Sequence, residues 1–179
     1  MERELVMTGI GGQGIQLAAS VLARAALSEG LEVQMFGSYG GMMRGGNTEA
    51  TVVIADGPIE SPPTVGSTWS AILMHHEYSE PTIKRLRAGS VVLVNSTVFG
   101  AFEHNDCEVV EVPATDMAIE AGNIMGASMV MMGAYAAVSG LVSVDSLCDA
   151  VGAALPSYRA QHIALNTDAL RRGFELVTS

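Results

Sequence analysis

The sequence is poor in cysteine and in positive charge, and each shortage argues against a class of protein. Two cysteines, Cys107 and Cys148, among 179 residues argue against a disulfide framework and cannot supply the four thiolates of an iron–sulfur cluster. Nine Lys and Arg against 19 Asp and Glu give a formal charge of −10. This balance argues against a nucleic-acid binder, because phosphate contacts need cations.

Two further absences concern membranes and export. No run of about 18 apolar residues is present, so no membrane span is expected. The first residues, Met1 to Glu4, lack the basic and apolar regions of a signal peptide, and the cytoplasm is the expected compartment.

The composition suits a single domain that is rich in apolar residues. Apolar residues make up 49% of the chain and charged residues 16%, so part of the apolar surface is expected in an interface with another chain. The length suits a single α/β domain over residues 1–179.

Strand and helix patterns alternate along the chain. Apolar and β-branched runs predict strands over 3–8, 32–36, 48–54, 70–74, 90–95 and 108–112. Helical patterns cover 13–28, 78–86, 115–120, 124–141, 144–155 and 167–176. This alternation predicts a three-layer α/β/α fold with a mostly parallel, Rossmann-like sheet.

A glycine loop follows the first predicted strand. Gly9, Gly11 and Gly14 satisfy the G-x-G-x-x-G pattern before a helix, where the backbone can approach a phosphate closely. The alternative is that these glycines only permit a tight turn and close helix–sheet packing. A dinucleotide site also needs an acid after the second strand, and Phe36-Gly37-Ser38 supplies none, so a classical nicotinamide enzyme is not favoured.

A second glycine-rich segment, Ser38 to Gly46, follows the next predicted strand. Its only cation is Arg44, and a guanidinium can bind a phosphate or carboxylate through two hydrogen bonds. Carboxyl ends of strands are where α/β sheets bind ligands, so the two segments together predict a site for an anionic group.

Both segments resemble the γ subunit of the 2-oxoacid:ferredoxin oxidoreductases. Gly9 to Gly14 is similar to the start of that family, and Ser38-Tyr39-Gly40 with Arg44-Gly45-Gly46 is similar to its S-Y-G-x-x-x-R-G-G pattern. The resemblance continues through 51–54, 91–96, 123–133, 155–156 and 166–173, so it covers nearly the whole chain.

The resemblance implies a subunit rather than a complete enzyme. In that family a γ chain of α/β/α fold assembles with an α chain, a thiamine-diphosphate-binding β chain and often a ferredoxin-like δ chain. The complex oxidatively decarboxylates a 2-oxoacid, reduces ferredoxin and forms an acyl-CoA. Thiamine diphosphate, magnesium and iron–sulfur clusters are therefore expected on partner chains, and no catalytic or metal-binding residue on this one. The second motif looks closest to 2-oxoglutarate or branched-chain 2-oxoacid enzymes.

The resemblance also implies part of a coenzyme A site. Its candidate residues are Gly9, Gly11, Gly12, Gln13, Gly14, Ser38, Tyr39, Arg44, Gly45 and Gly46. The N–H groups of residues 11–14 and the Gln13 amide are expected to meet the pyrophosphate. In the alternative, Arg44 pairs with another subunit and Tyr39 packs at that interface.

Three other features are interpreted structurally. Neighbouring residues of an extended segment point to opposite sides, so His75 and His76 in His75-His76-Glu77 are not expected to share a metal. The methionines of the predicted 124–141 helix are expected to pack in the core or an interface. Met42 and Met43 are expected to be buried by the α chain.

Two other functions stay open at this point. One is an autonomous nucleotide- or CoA-binding module without catalysis, and the other is an NADP-dependent reductase that uses Arg44. An isolated chain is expected to self-associate through the apolar face that its partners normally cover.

Overall fold

One six-stranded sheet organises the chain in the computed structural model, which describes residues 1–39, 45–62 and 64–179. The strands are β1 (Glu2–Ile10), β2 (Glu32–Tyr39), β3 (Asn47–Ala55), β4 (Thr68–Leu73), β5 (Leu86–Asn95) and β6 (Glu108–Val112). Their order across the sheet is β2-β3-β1-β4-β5-β6. β3 runs antiparallel to its neighbours β1 and β2, and the other pairs are parallel. Five strands therefore share one direction, as the alternating pattern predicts.

Seven α-helices accompany the sheet in the described residues. They are α1 (Ile15–Ser28), α2 (Glu80–Ile83), α3 (Ser96–Phe99), α4 (Ala114–Glu120), α5 (Ala127–Ser139), α6 (Val144–Ala154) and α7 (Ile163–Thr178). Short 3₁₀ turns occupy His76–Tyr78, Ile124–Gly126 and Ser157–His162. None of these described helices has both the length and the hydropathy to cross a membrane.

Two predicted helices differ from the structure. The 78–86 helix is only the single turn of α2, because the chain enters β5 at Leu86, which pairs with Thr68 of β4. The 124–141 helix starts at Ala127 instead of Ile124. The two residues predicted to open it, Ile124 and Met125, lie in a 3₁₀ turn and are 69% and 64% exposed.

Helices cover the two faces of the sheet unequally. Leu5, Met7, Ile72 and Leu93 face a large core with residues of α1, α5, α6 and α7. Residues between them along the strands face the other side, where smaller clusters form with residues of α2 and α3 and with Ile59 and Val65. This alternation follows from the two-residue period of a strand. The α/β class with helices flanking a mostly parallel sheet is therefore confirmed.

Small residues bring the main helices close to their neighbours. α1 buries five alanines, Ala18, Ala19, Ala23, Ala25 and Ala26. Every residue of α5 from Ala127 to Ala136 is buried, because α5 lies between the sheet and α7. Gly133 of α5 lies directly against the Leu170 carbonyl, and Gly173 of α7 lies against that of Val130. This packing fixes the position of the α5 N-terminus, which belongs to the site described next.

Candidate functional site

The candidate site lies at the edge of the sheet where the parallel strands end. Ile10 of β1 pairs with Asn47 of β3, and Tyr39 of β2 pairs with Thr48. Because β3 runs in the opposite direction, its first residues lie beside the last residues of β1 and β2. Both glycine segments therefore reach the same edge, as the sequence predicts.

The two glycine segments are in direct contact. The N–H of Gly11 donates to the carbonyl of Gly46 at 2.8 Å. The hydroxyl of Tyr78 donates to the carbonyl of Gly45 at 3.4 Å. Partial desolvation and then the nearby Glu77 carboxylate raise the pKa of Tyr78, so the hydroxyl keeps its proton. The segments thus form one wall rather than two separate loops.

The Gln13 side chain stabilises the glycine loop through hydrogen bonds within the chain. Its Oε1 accepts from the N–H of Ile10 at 2.9 Å, and its Nε2 donates to the Met74 carbonyl at 3.5 Å. The backbone N–H of Gln13 also bonds to Ile10. The chain itself therefore engages the Gln13 amide in this structure, and the expected contact of this amide with a ligand stays a prediction.

The backbone donors of the loop divide into two groups. The N–H groups of Gly11 and Gln13 are bonded to other backbone carbonyls. Those of Gly12 and Gly14 have no partner among the described residues. Of the four predicted donors, Gly12 and Gly14 are the two that a ligand can use without breaking the loop.

The glycines of the loop serve different purposes. Gly12 and Gly14 have φ of 102° and 78°, which side chains of L-residues rarely adopt. Gly9 is buried within β1, and a Cβ on it would lie 2.5 Å from Gln13 Oε1. Gly9 therefore packs beneath Gln13, and its expected contact with a ligand stays a prediction.

The second segment is described only in part. Ser38 is exposed near the end of β2, and Gly45 has a φ of 87°. Arg44, Met42 and Met43 lie outside the described residues. The same holds for the side chain of Tyr39, whose backbone ends β2.

Asn95 and Thr115 are site residues that the sequence reasoning missed. Asn95 ends β5 and is fully buried. Its Nδ2 donates to Thr115 Oγ1 at 2.8 Å, and its Oδ1 accepts from the Thr115 N–H at 3.3 Å. The available signal was an asparagine directly after the buried run Val91–Val94, at a strand end where α/β folds place ligand contacts.

A cavity of about 190 Å³ opens beside the glycine loop. Its lining residues are Gly12, Gln13, Thr115, Ile124, Met125 and Ala127. Of these described lining residues, none is charged. Another depression, of about 220 Å³, lies at the opposite edge of the sheet and includes Glu2, Asp56 and Glu60. Its carboxylates do not suit an anion, and it lies far from the strand ends that form the site.

The histidine pair does not behave as the extended pattern predicts. The rings of His75 and His76 stack with their centroids 4.5 Å apart, and Phe99 meets His76 edge-on at 6.2 Å. In the described parts of the chain, no three His, Cys, Asp or Glu side chains lie close enough together to hold a metal ion. The pair packs on Phe99 beside the site.

Comparisons with known proteins identify a family. The pyruvate ferredoxin/flavodoxin oxidoreductase family matches residues 4–176. The 2-oxoglutarate synthase subunit KorC of Methanothermobacter marburgensis is 33% identical, over 99% of this chain and 97% of its own length.

Solved structures give the same fold. The keto/oxoacid ferredoxin oxidoreductase γ subunit of Geobacter sulfurreducens superposes with a TM-score of 0.85 at 27% identity, covering 99% of this chain and 97% of that one. A 2-oxoglutarate:ferredoxin oxidoreductase of Magnetococcus marinus, solved with 2-oxoglutarate, coenzyme A and succinyl-CoA, has a TM-score of 0.85 at 19% identity. The match covers 99% of this chain and 31% of the longer chain of that enzyme.

Proposed function

The chain belongs to the pyruvate ferredoxin/flavodoxin oxidoreductase family as a γ-type subunit, and we propose that its complex acts on 2-oxoglutarate. Such a complex converts a 2-oxoacid and the thiol of coenzyme A into an acyl-CoA and carbon dioxide. Two electrons pass to ferredoxin and one proton is released. The family match over residues 4–176 carries the membership, and the relative at 33% identity that is named for 2-oxoglutarate supports the proposed substrate.

Two observations bear on the substrate. The relative at 33% identity is named for 2-oxoglutarate, whereas the family is named for pyruvate. The form of the second glycine motif, with Tyr39 and Arg44-Gly45-Gly46, favours 2-oxoglutarate or a branched-chain 2-oxoacid. A panel of 2-oxoacids must therefore be part of any activity test.

The chain contributes one wall of the coenzyme A site in this proposal. The N–H groups of Gly12 and Gly14, which have no partner among the described residues, bind the pyrophosphate, and Gly45 and Gly46 let the backbone approach it closely. Arg44, which lies outside the described residues, would supply a cation for the phosphates in this proposal. The Magnetococcus marinus enzyme, which shares this fold, holds coenzyme A, and this supports the assignment.

Catalysis itself is assigned to partner chains. The described residues that line the cavity include no carboxylate, and both cysteines are single free thiols. From the family resemblance we propose that thiamine diphosphate, magnesium and the iron–sulfur clusters lie on α, β and δ chains and that the complex is cytoplasmic.

An exposed apolar surface supports assembly with those chains. Ile119, Ile124 and Met125 are exposed at the end of α4 and in the turn before α5. Exposed apolar clusters next to a site are typical of protein interfaces. The proposal places a partner chain on this surface in the complex and a second copy on it when the chain is alone.

The test is purification of the native assembly through a tag on this chain. The eluate is assayed with 2-oxoglutarate, pyruvate and 2-oxoisovalerate, each with coenzyme A and a viologen acceptor. We expect a thiamine-diphosphate-binding chain in the eluate and the highest activity with 2-oxoglutarate. A chain that elutes alone, and binds coenzyme A as a stable monomer, would contradict the proposal and favour an autonomous binding module.

A further inference from the structure

We propose that Tyr78 is a positioning residue for coenzyme A that acts through Gly45. An ion pair between Arg85 and Glu49 holds Tyr78 in place. The inference rests on the proposed coenzyme A role of the two glycine segments. It gives a function to the 76–85 segment, which consists of the 3₁₀ turn before α2, α2 itself and the residues that lead into β5. This segment belongs to neither glycine motif.

The first observation is that two elements hold the Gly45-Gly46 dipeptide. The carbonyl of Gly46 accepts from the N–H of Gly11 at 2.8 Å, and the carbonyl of Gly45 accepts from the half-buried Tyr78 at 3.4 Å. Consecutive carbonyls of the second glycine segment are therefore bound from β1 on one side and from the 76–85 segment on the other. The Tyr78 hydroxyl limits how far this dipeptide can move away from Gly11.

The second observation is how the 76–85 segment is attached to the sheet. α2 is a single turn of four residues, and so short a helix is not stable without tertiary contacts. Thr8 of β1 and Glu49 of β3 lie directly opposite each other, so their side chains share one face of the sheet. Thr8 Oγ1 donates to the carbonyl of Tyr78 at 3.3 Å, and Arg85 forms an ion pair with Glu49. One cross-strand pair thus holds both ends of the segment.

The Arg85–Glu49 pair is shielded from solvent. The two side chains are only 21% and 22% exposed. Thr82, which is fully buried, places its Oγ1 3.1 Å from Arg85 Nη2 and 3.4 Å from Glu49 Oε2. An ion pair of low exposure with a further hydrogen bond is screened less than a surface pair. It therefore fixes the end of α2 on β3.

The neighbouring cation offers a contrast. Lys84 pairs with Glu80 at 2.7 Å, both side chains are more than 70% exposed, and both residues belong to the same short stretch of chain. Such a pair contributes little to stability, and it connects α2 to no strand. Of these two adjacent cations, Arg85 is the one that ties the segment to the sheet.

This arrangement acts on binding and not on the reacting atoms. Tyr78 does not line the cavity beside the glycine loop, so its effect on a ligand passes through the position of Gly45. Holding a segment in place before the ligand arrives removes part of the ordering cost of binding. Loss of the hydroxyl should therefore raise the Michaelis constant for coenzyme A and leave the maximal rate unchanged.

The test uses the purified complex that contains this chain. Tyr78→Phe removes the hydroxyl, Arg85→Met removes the ion pair, and the double variant combines them. Lys84→Met is the matched control for Arg85→Met, and Tyr158→Phe, at a position 73% exposed, is the control for Tyr78→Phe. The Michaelis constants for coenzyme A and for the 2-oxoacid, the maximal rate and the thermal stability are measured for each variant.

Amide hydrogen exchange in the same complexes gives a readout that does not depend on activity. The N–H of Gly11 reports on its bond to Gly46, and the N–H of Gln13, which bonds to Ile10 within the loop, is the internal reference. Exchange is followed with and without coenzyme A. Slower exchange at Gly12 and Gly14 with coenzyme A tests the proposed function separately.

We expect Tyr78→Phe to raise the Michaelis constant for coenzyme A about fivefold, with the constant for the 2-oxoacid, the maximal rate and the thermal stability unchanged. The N–H of Gly11 should exchange faster without coenzyme A, and that of Gln13 should not. Arg85→Met should raise the same constant, and adding Tyr78→Phe to it should have no further effect. Lys84→Met and Tyr158→Phe should behave like the wild type.

Three results would overturn the inference. One is an unchanged constant for coenzyme A in Tyr78→Phe. Another is an equal change in both Michaelis constants, which would indicate general damage to the complex. The third is additive effects of Tyr78→Phe and Arg85→Met, which would show that the ion pair does not hold Tyr78. The proposed function survives all three if coenzyme A slows exchange at Gly12 and Gly14 in the wild type, and it fails if coenzyme A does not. Should Arg85→Met not assemble, Tyr78→Phe and the exchange of Gly11 decide the question.

Discussion

Gly11 donates its backbone N–H to the carbonyl of Gly46 at 2.8 Å, and this bond joins the two glycine segments into one wall. It also means that the N–H of Gly11 is used within the chain. In the part of the chain that the structure describes, Gly12 and Gly14 are the glycines of this loop whose N–H groups have no backbone partner.

Substitution of Gly14 should cost more stability than its backbone conformation alone predicts. Gly14 and Gly30 have similar φ values of 78° and 81°, but a Cβ on Gly30 would meet nothing within 4 Å, whereas one on Gly14 would approach Ser128 Oγ to 2.7 Å. We expect Gly30→Ala to cost about 1 kcal/mol and Gly14→Ala about 2–3 kcal/mol, measured by urea unfolding.

A double-mutant cycle separates the two contributions at Gly14. In a Ser128→Ala background the extra cost of Gly14→Ala should disappear and leave only the conformational part. Equal losses for Gly14→Ala and Gly30→Ala would show that Ser128 does not hold Gly14 in this position.

Alanine substitution is expected to change stability in opposite directions at two helical glycines, Gly173 in the α5–α7 contact and Gly152 in α6. A Cβ on Gly173 would overlap the Val130 carbonyl, whereas one on Gly152 would make ordinary contact with Ile163 at 3.7 Å. We expect Gly173→Ala to destabilise the chain by at least about 2 kcal/mol and Gly152→Ala to stabilise it by about 0.5–1 kcal/mol. Thermal unfolding of the two variants checks this, and a tolerated Gly173→Ala would contradict the packing.

The sequence predicts the fold better than it predicts the site, and the reason is physical. Strand and helix periods report which faces are buried, so the six strands and the location of both glycine segments at one edge could be predicted. Which N–H groups remain free depends on contacts between distant residues, such as Gly11 with Gly46 and Gln13 with Met74. No local pattern contains that information.

Two further features of the structure could not be predicted, because they too depend on the tertiary structure and not on a local pattern. Ile124 and Met125 look like the start of a buried helix, but the helix begins at Ala127 and leaves them exposed. The apolar pattern of a segment does not distinguish a residue that is buried in the core from one that is exposed on the surface. The pairing of Asn95 with Thr115 joins the end of β5 to the first turn of α4, and no local pattern shows that these two residues meet.

The buried hydroxyl of Tyr135 is expected to make the folded chain less stable at alkaline pH. Burial raises the pKa of Tyr135 above its ordinary value of 10.0, so the folded state keeps the proton that the unfolded state releases. Its stabilising contribution is complete below pH 10 and falls above it by about 1.4 kcal/mol per pH unit. We expect Tyr135→Phe to remove this slope.

At neutral pH the same substitution should cost about 1 kcal/mol. It removes the 2.9 Å bond to Ser70 Oγ, which keeps its bond to the Glu4 carbonyl. Tyr158→Phe, at a position 73% exposed, is the control and should leave the alkaline slope as in the wild type. An unchanged slope in Tyr135→Phe would rule out Tyr135 as the titrating group.

Removing the buried negative charge of Glu4 should lower the free energy of unfolding more than removing the exposed negative charge of Asp145. Glu4 accepts from the Trp69 N–H at 3.0 Å and from Arg87 at 2.9 Å, and it is buried. We expect Glu4→Gln to destabilise the chain by about 2 kcal/mol, because Arg87 loses the buried negative charge that it pairs with, although an amide oxygen can still accept its hydrogen bond. Asp145→Asn, which weakens the exposed Arg171 pair, should be indistinguishable from the wild type in urea unfolding.

The central claim is that this chain completes the coenzyme A site of a 2-oxoacid:ferredoxin oxidoreductase. The most direct measurement is 2-oxoglutarate-dependent viologen reduction by the partner chains, with coenzyme A varied, before and after addition of the purified chain. We predict that coenzyme A-dependent turnover appears only when the chain is added and saturates at equimolar amounts. Full turnover with an unchanged Michaelis constant for coenzyme A in its absence would contradict the account.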